Sequence, residues 1–228
     1  MNIVYALTRN IYDWILPSLK SLAETNPKAR VFILCEDDAM PFELPMEAEV
    51  INISGQKFFP EIAAHRAESF GGYINHLKTC YSSVLPVNKV IHLDVDTIVC
   101  DSLDGLWKTD VSGKWFAAVP ESQKWYKPFG DVYYNMGVAL FNLAQLRKDK
   151  IQNTMTEYLM TANQPYADQN AWNKFGIEQD KIQRLNVRYN ESRVTGMTDD
   201  PAIVHYCSYP DWWTKKDMPR RQYLERYL

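Results

Sequence analysis

Three things are missing from this 228-residue chain. There is no cysteine framework: Cys35, Cys80, Cys100 and Cys207 are scattered, form no C-x-x-C pair and are too few to staple a chain of this length. They are expected to be reduced, as in a cytoplasmic protein. There is no basic excess, since a net charge of −3 and a pI near 5.8 give no general field for nucleic acid. A phosphate-bearing ligand must then be small and locally held. There is no apolar run approaching the roughly 18 residues of a membrane span, and Met1 leads straight into a strand-like segment without a basic and then apolar leader. No repeat or flexible linker interrupts the chain, and 46% hydrophobic with 23% charged residues is the composition of a folded protein with one sizeable core. A single domain over residues 1–228 is expected.

What is there is organised around Lys89–Asp104. Val90, Ile91 and Leu93 form a short apolar run typical of a buried strand, and it ends in two carboxylates, Asp94 and Asp96. Residues i and i+2 of an extended chain point to one side, so both acids reach the same place beyond the carboxyl edge of the sheet, where open α/β sheets bind ligands. Two converging carboxylates repel unless a cation such as Mg²⁺ or Mn²⁺ sits between them and itself holds a phosphate. The plainer alternative is a strand end whose aspartates cap the next turn.

The remaining runs fit alternating strands and helices. Strands are expected at 3–7, 31–35, 50–53, 115–119, 135–142, 182–187 and 202–206. Trp14, Ile15, Leu19, Leu22 and Ala23 recur at helical spacing, with Pro17 placed to kink or delay that helix. Ile74, Leu77, Tyr81, Val84 and Leu85 predict a helix ending near Pro86, with Lys78 beside its buried stripe. Residues 143–160 are helical in composition, and Asp168 is a candidate cap for a short helix through Trp172. This order implies a mostly parallel, Rossmann-like sheet in an α/β domain, with the Thr8–Tyr12 turn and Asp94–Asp96 on one edge. Gly137 marks a bulge or a close approach of backbone to another group.

Several separated motifs fall in order. Lys78 precedes Asp94-Val95-Asp96-Thr97, and Asn135-Met136-Gly137-Val138, Asp168-Gln169-Asn170 and His205-Tyr206-Cys207 follow. Together they resemble family 8 glycosyltransferases, the group that includes glycogenin and bacterial lipopolysaccharide galactosyltransferases. The resemblance spans nearly the whole chain. It implies a GT-A fold, with residues 1–100 a nucleotide-binding half and 101–228 an acceptor half with a C-terminal tail. It implies a nucleotide-diphosphate sugar donor, UDP-linked across the family, a saccharide or glycoconjugate acceptor, Mn²⁺ or Mg²⁺, and retention of anomeric configuration. On the matching positions, Asp94, Asp96 and His205 are the metal ligands, a donor set that suits Mn²⁺. Ala6, Thr8, Asn10, Tyr12, Lys78, Asp94, Val95, Asp96, Asn135 and Gly137 line the donor, with Asp168 and Gln169 under the sugar.

Two departures stand out. Asp211 lies where the family's phosphate-gripping lysine is expected, so Lys215 or Lys216 is expected to substitute from the next turn. Leu7-Thr8-Arg9-Asn10 replaces the usual acidic loop, while Tyr12 retains a ring that can stack on a base. Two rivals stay open. Asp94-Val95-Asp96-Thr97 also looks like a haloacid-dehalogenase phosphatase motif, though it follows several strand–helix units instead of the first strand; the other rival is a catalytically dead sugar-nucleotide binder. The tail 212–228 carries clustered aromatics and five basic residues, which suit a cover for the donor site, a peripheral contact with an anionic membrane face, or packing on the domain.

Overall fold

A computed structural model describes residues 1–56, 74–122, 129–161, 167–207, 211 and 214–228. The first half alternates as the apolar runs dictate. Strand β1 (Asn2–Ala6) pairs in parallel with β2 (Arg30–Cys35), β2 in parallel with β3 (Ala48–Asn52), and β1 on its other side with β4 (Lys89–Leu93). The side chains of β1, β2 and β4 are almost wholly buried, as in a parallel sheet covered on both faces, while those of the edge strand β3 are only partly so.

The second half joins this sheet through one reversed strand. β7 (Tyr134–Asn142) runs antiparallel to both β4 and β6 (Phe116–Pro120), and β8 (Ile182–Arg184) closes the edge parallel to β6. The order is β3-β2-β1-β4-β7-β6-β8, with every strand but β7 in one direction. The β6–β7 register slips between Ala118 and Val119, so Ala118 faces Ala139 while Val119 faces Asn135. That bulge lies over Met136–Val138, around the glycine singled out above.

A second, two-stranded sheet was not foreseen. β5 (Thr97–Val99) pairs antiparallel with β9 (Ile203–His205), matching Thr97 to His205. The helix Ile15–Thr25 packs on β5, and its buried serines fasten the turn before it. Ser18 Oγ lies 2.9 Å from the Tyr5 hydroxyl and 3.0 Å from Thr97 Oγ1, while Ser21 Oγ accepts from Val99 N at 2.9 Å. Pro17 sits in the first turn of that helix, where its missing N–H costs nothing, after a 3-10 segment Arg9–Trp14.

Two helices differ from expectation. Ile74–Cys80 winds as a 3-10 helix and becomes α-helical only at Tyr81–Val84. Thr79 Oγ1 donates to the His76 carbonyl at 2.7 Å and Ser83 Oγ to that of Cys80 at 2.9 Å, side-chain bonds that compete with the i→i−4 ladder. The 143–160 segment is two helices, Leu143–Asp149 and Ile151–Thr161, because Lys150 adopts a left-handed φ of 53°.

The main core lies against the sheet under an aromatic cluster in which Trp172 stands 5.0 Å from Phe141 and 5.6 Å from Phe116, ring centre to ring centre. Trp172→Ala is expected to destabilise the fold by about 3–5 kcal/mol in equilibrium denaturation. A loss below about 1 kcal/mol would show that the cluster does not hold β6, β7 and the helix Ala167–Glu178 together.

Candidate active site

The turn after β4 is built by backbone. Asp94 N donates to Gly137 O at 2.8 Å and Thr97 Oγ1 to Asp94 O at 2.7 Å, and Tyr206 N reaches Asp96 O at 2.8 Å. These bonds turn both acids toward β9. Asp94, Asp96 and His205 each offer one ligand atom, all within 4.8 Å of one another. His205 Nε2 lies 3.2 Å from Asp96 Oδ1 and 3.9 Å from Asp94 Oδ2. Its other nitrogen, Nδ1, is 2.8 Å from Asn190 Oδ1, which fixes the tautomer and leaves Nε2 to face the acids.

The expected convergence of the three therefore occurs, but by another route. His205 does not come from a strand beside β4; it arrives on the small β5–β9 sheet, opposite Thr97. The cluster draws its acids from one expected half of the chain and its imidazole from the other.

Gly137 explains itself here. A Cβ on it would lie 2.0 Å from His205 Cε1 and 2.8 Å from both Asp94 Oδ2 and His205 Nδ1. No side chain fits there without moving the cluster, so the glycine is required by the close approach of backbone to these groups.

Lys78 is 4% exposed, so its head is not in water. Its Nζ donates to Met136 O at 3.1 Å and stands 3.2 Å from Asp94 Oδ1 and 3.8 Å from Asp168 Oδ2. Burial works to raise the Asp94 pKa, but the Lys78 ammonium and then His92 outweigh it and hold the carboxyl below the ordinary range. His92 Nε2 is 2.8 Å from Asp94 Oδ1, and its Nδ1 is 2.9 Å from the Tyr81 hydroxyl. Asp94 Oδ1 is thus occupied by the protein, while Oδ2 faces His205. For His205, burial disfavours the charged form, yet the Asp96 carboxylate prevails and its pKa is raised.

Beside Lys78 lies the second group of expected residues. Asp168 is 6% exposed, in the first turn of the helix Ala167–Glu178. Gln169 Oε1 accepts from Met136 N at 2.9 Å, and its Nε2 donates to Glu121 Oε1 at 3.1 Å. Asn135 donates to the same Glu121 oxygen at 3.2 Å and accepts from Gly137 N and Asn190 Nδ2. Burial raises the Glu121 pKa against the opposing hydrogen bonds of Asn135 and Gln169. Glu121 also lines a cavity of about 260 Å³ with Ser122, Asp131, Arg184, Leu185 and Thr195.

At the other side, Ala6 and the Thr8–Tyr12 turn leave the same sheet edge as Asp94, because β1 and β4 are parallel neighbours. Thr8 is hydrogen-bonded to Asn10. Tyr12 is 5% exposed and donates from its hydroxyl to Asp37, which also receives Arg9. Val95 packs against the main core.

The tail packs on the domain. Met218, Leu224 and Tyr227 join Ile98, Val204 and Tyr206 in a second small core. Tail cations face acids: Arg220 pairs with Glu191, Arg221 with Glu225 and Arg226 with Glu24. Lys215 N donates to Asp211 O, which places Lys215 and Lys216 in the turn after Asp211. Residues 208–210 and 212–213, before and within this turn, and residues 123–128 lie outside the described residues. Among the described residues no helix is long and apolar enough to cross a membrane.

Three residues of this site were not foreseen. His92 had a legible signal, since it lies in the apolar run two places before Asp94, a spacing that puts both on one side of an extended chain. Asn190 and Glu121 had none, because loop paths bring them in.

The sequence pattern described as glycosyl transferase family 8 matches residues 2–216. A putative glycosyltransferase of Haemophilus influenzae is 23% identical over 95% of this chain and 74% of that protein. The glycosyltransferase GlyA of Streptococcus pneumoniae is 27% identical over 98% of this chain but only 33% of its own length. A crystal structure of a glutamine-to-glutamate active-site mutant of LgtC superimposes with a TM-score of 0.78 at 21% identity, covering 100% of this chain and 95% of that one. The apo form of GlyE from Streptococcus pneumoniae gives 0.77 at 18% identity, covering 99% of this chain and 59% of that one. The phosphatase reading falls with these matches, and the overall fold is that of the solved neighbours. With the family pattern running over residues 2–216 of the 228, this single α/β domain of GT-A fold belongs to glycosyltransferase family 8.

Proposed function

We propose that this glycosyltransferase is a divalent-metal-dependent, retaining enzyme. In this reading it moves a hexose from a nucleotide-diphosphate sugar, UDP-linked, to a saccharide or glycoconjugate acceptor, in the cytoplasm or at the inner face of a membrane. The observation that carries the reading is the convergence of Asp94, Asp96 and His205, with Lys78 and Asp168 beside them. Two carboxylate oxygens and one imidazole fit Mn²⁺ or Mg²⁺, and the missing Cβ at Gly137 keeps that cradle open. A cation held there would neutralise the leaving diphosphate. Lys215 or Lys216, in the turn after Asp211, is our candidate for a further phosphate contact.

The donor sugar would lie over Lys78, Asp168 and Gln169. A neutral amide is a poor nucleophile, and the Gln169 oxygen is already accepting from Met136 N. Asp168 faces an ammonium, which lowers its nucleophilicity and suits it to accept hydrogen bonds from sugar hydroxyls. We therefore assign front-face substitution. The bond from the anomeric carbon to the diphosphate oxygen breaks, the acceptor oxygen bonds to the same face, and its proton passes to the departing diphosphate. The cavity of about 260 Å³ beside Glu121 is our candidate acceptor site, because Glu121 joins it to Gln169 by one hydrogen bond.

Three outcomes are expected. Mn²⁺ with UDP at 100 times its Kd should stabilise the protein by about 2.7 kcal/mol, and Asp96→Asn should remove that stabilisation; an unchanged thermal shift in the variant contradicts the ligand assignment. Gly137→Ala should fold but lose Mn²⁺-dependent UDP binding by calorimetry, because its Cβ meets the His205 ring; wild-type affinity would show that the cluster is not the cation site. Incubation with UDP-hexoses should give Mn²⁺-dependent transfer or slow hydrolysis, with the donor's anomeric configuration kept in the NMR spectrum of the transfer product. An inverted product contradicts the front-face mechanism, and UDP binding without any turnover favours a non-catalytic binder.

A further inference from the structure

The C-terminal segment 214–228 is tied to the cluster by contacts that the proposed transfer does not use. Glu191 is 0% exposed, and its carboxylate is held from two directions. Thr198 N donates to Oε2 at 2.8 Å. The Arg220 guanidinium donates from Nε to Oε1 at 2.7 Å and from Nη2 to Oε2 at 3.3 Å, and Nη2 also reaches the Thr198 carbonyl. Arg220 has a left-handed φ of 63°, with its carbonyl accepting from the Tyr206 hydroxyl at 2.8 Å. A residue with a Cβ stays there where its surroundings over-determine it.

The main chain of Glu191 lies along β9. Its N donates to Ile203 O at 2.9 Å and its O accepts from His205 N at 2.8 Å. The preceding residue, Asn190, takes His205 Nδ1 with its side-chain oxygen and donates to Asn135 Oδ1. One dipeptide therefore carries the carboxylate that the tail grips, the backbone partner of His205 and the acceptor that sets its ring.

We propose that Arg220 is a positioning residue for His205, so that docking of the C-terminal segment and binding of a divalent cation are one coupled equilibrium. The inference rests on the reading of Asp94, Asp96 and His205 as the cation site. With Arg220 neutralised, the buried Glu191 carboxylate loses its cation and moves toward water, and Asn190 and the His205 amide contact move with it. Outer-shell groups of this kind control ligand orientation, and so metal affinity, without touching the metal. Conversely, a cation that fixes the imidazole favours the arrangement in which Glu191 receives the tail.

The test uses the full chain and a temperature well below each variant's melting point. Calorimetry with Mn²⁺ in the presence of UDP is expected to give an affinity about tenfold weaker for Arg220→Gln than for wild type. Glu191→Gln/Arg220→Gln, which removes the buried charge and keeps an amide pair, should recover most of it. In the wild type, Mn²⁺ with UDP should slow hydrogen exchange over residues 214–228. A lowered melting temperature with a wild-type Mn²⁺ affinity overturns the proposal and leaves Arg220 as packing alone. Should Arg220→Gln not fold, the wild-type exchange measurement decides: exchange over residues 214–228 that is unchanged by Mn²⁺ with UDP overturns the coupling. A wild-type protein that binds no Mn²⁺ overturns the cation reading itself, and this inference with it.

Discussion

Everything around the site answers to one constraint: a carboxylate at the end of a buried strand must be compensated without being closed off. Asp94 meets it asymmetrically. Lys78 and His92 both approach Oδ1, while Oδ2 is left facing His205 and the space above Gly137. The demand propagates. Lys78 must be buried, so a helix-like segment packs against the sheet at the right height, and its ammonium then meets Asp168 and the Met136 carbonyl. Gly137 must lack a side chain, and the β6–β7 register slips beside it. The electrostatics of four side chains thereby fix the backbone of three separate elements.

Much of this was legible in the sequence. Apolar runs ending in polar residues marked β1, β2, β4 and β7 to within a residue or two; Asp94 and Asp96 do converge, but in the turn after β4 and not by alternation along an extended strand. Lys78 was notable for lying beside an apolar stripe, where an ammonium needs a partner. Other features left no trace. A three-residue apolar run such as β9 reads the same whether it joins the main sheet or, as here, pairs with β5. Strand direction is equally silent, so the reversal of β7 came only from the structure. The 3-10 winding of Ile74–Cys80 keeps the i, i+3 repeat of an α-helix and differs in side-chain bonds that periodicity does not record.

Family membership and the cluster speak to different levels of function. The family match makes the chain a glycosyltransferase acting between a sugar donor and an acceptor. The cation and the stereochemistry proposed above are argued from this chain's own groups: the donor set, the neutral amide of Gln169, and Lys78 between two acids; the UDP donor rests on the family resemblance. The departure at Asp211 bears on the same site. An acid stands where a phosphate-gripping lysine was expected, yet the tail that follows is anchored through Arg220, Tyr227 and a small apolar core. That anchoring sets where Lys215 and Lys216 lie, the two residues proposed above for a further phosphate contact.

The central claim is that Asp94, Asp96 and His205 together hold one divalent cation against a nucleoside diphosphate. Anomalous diffraction at the manganese edge, from crystals grown with Mn²⁺ and UDP, tests it most directly. The account predicts a single strong peak bonded to Asp94 Oδ2, Asp96 and His205 Nε2, with diphosphate oxygens completing its shell. Bound UDP with no peak at these three residues, or a peak held by other groups, would contradict it.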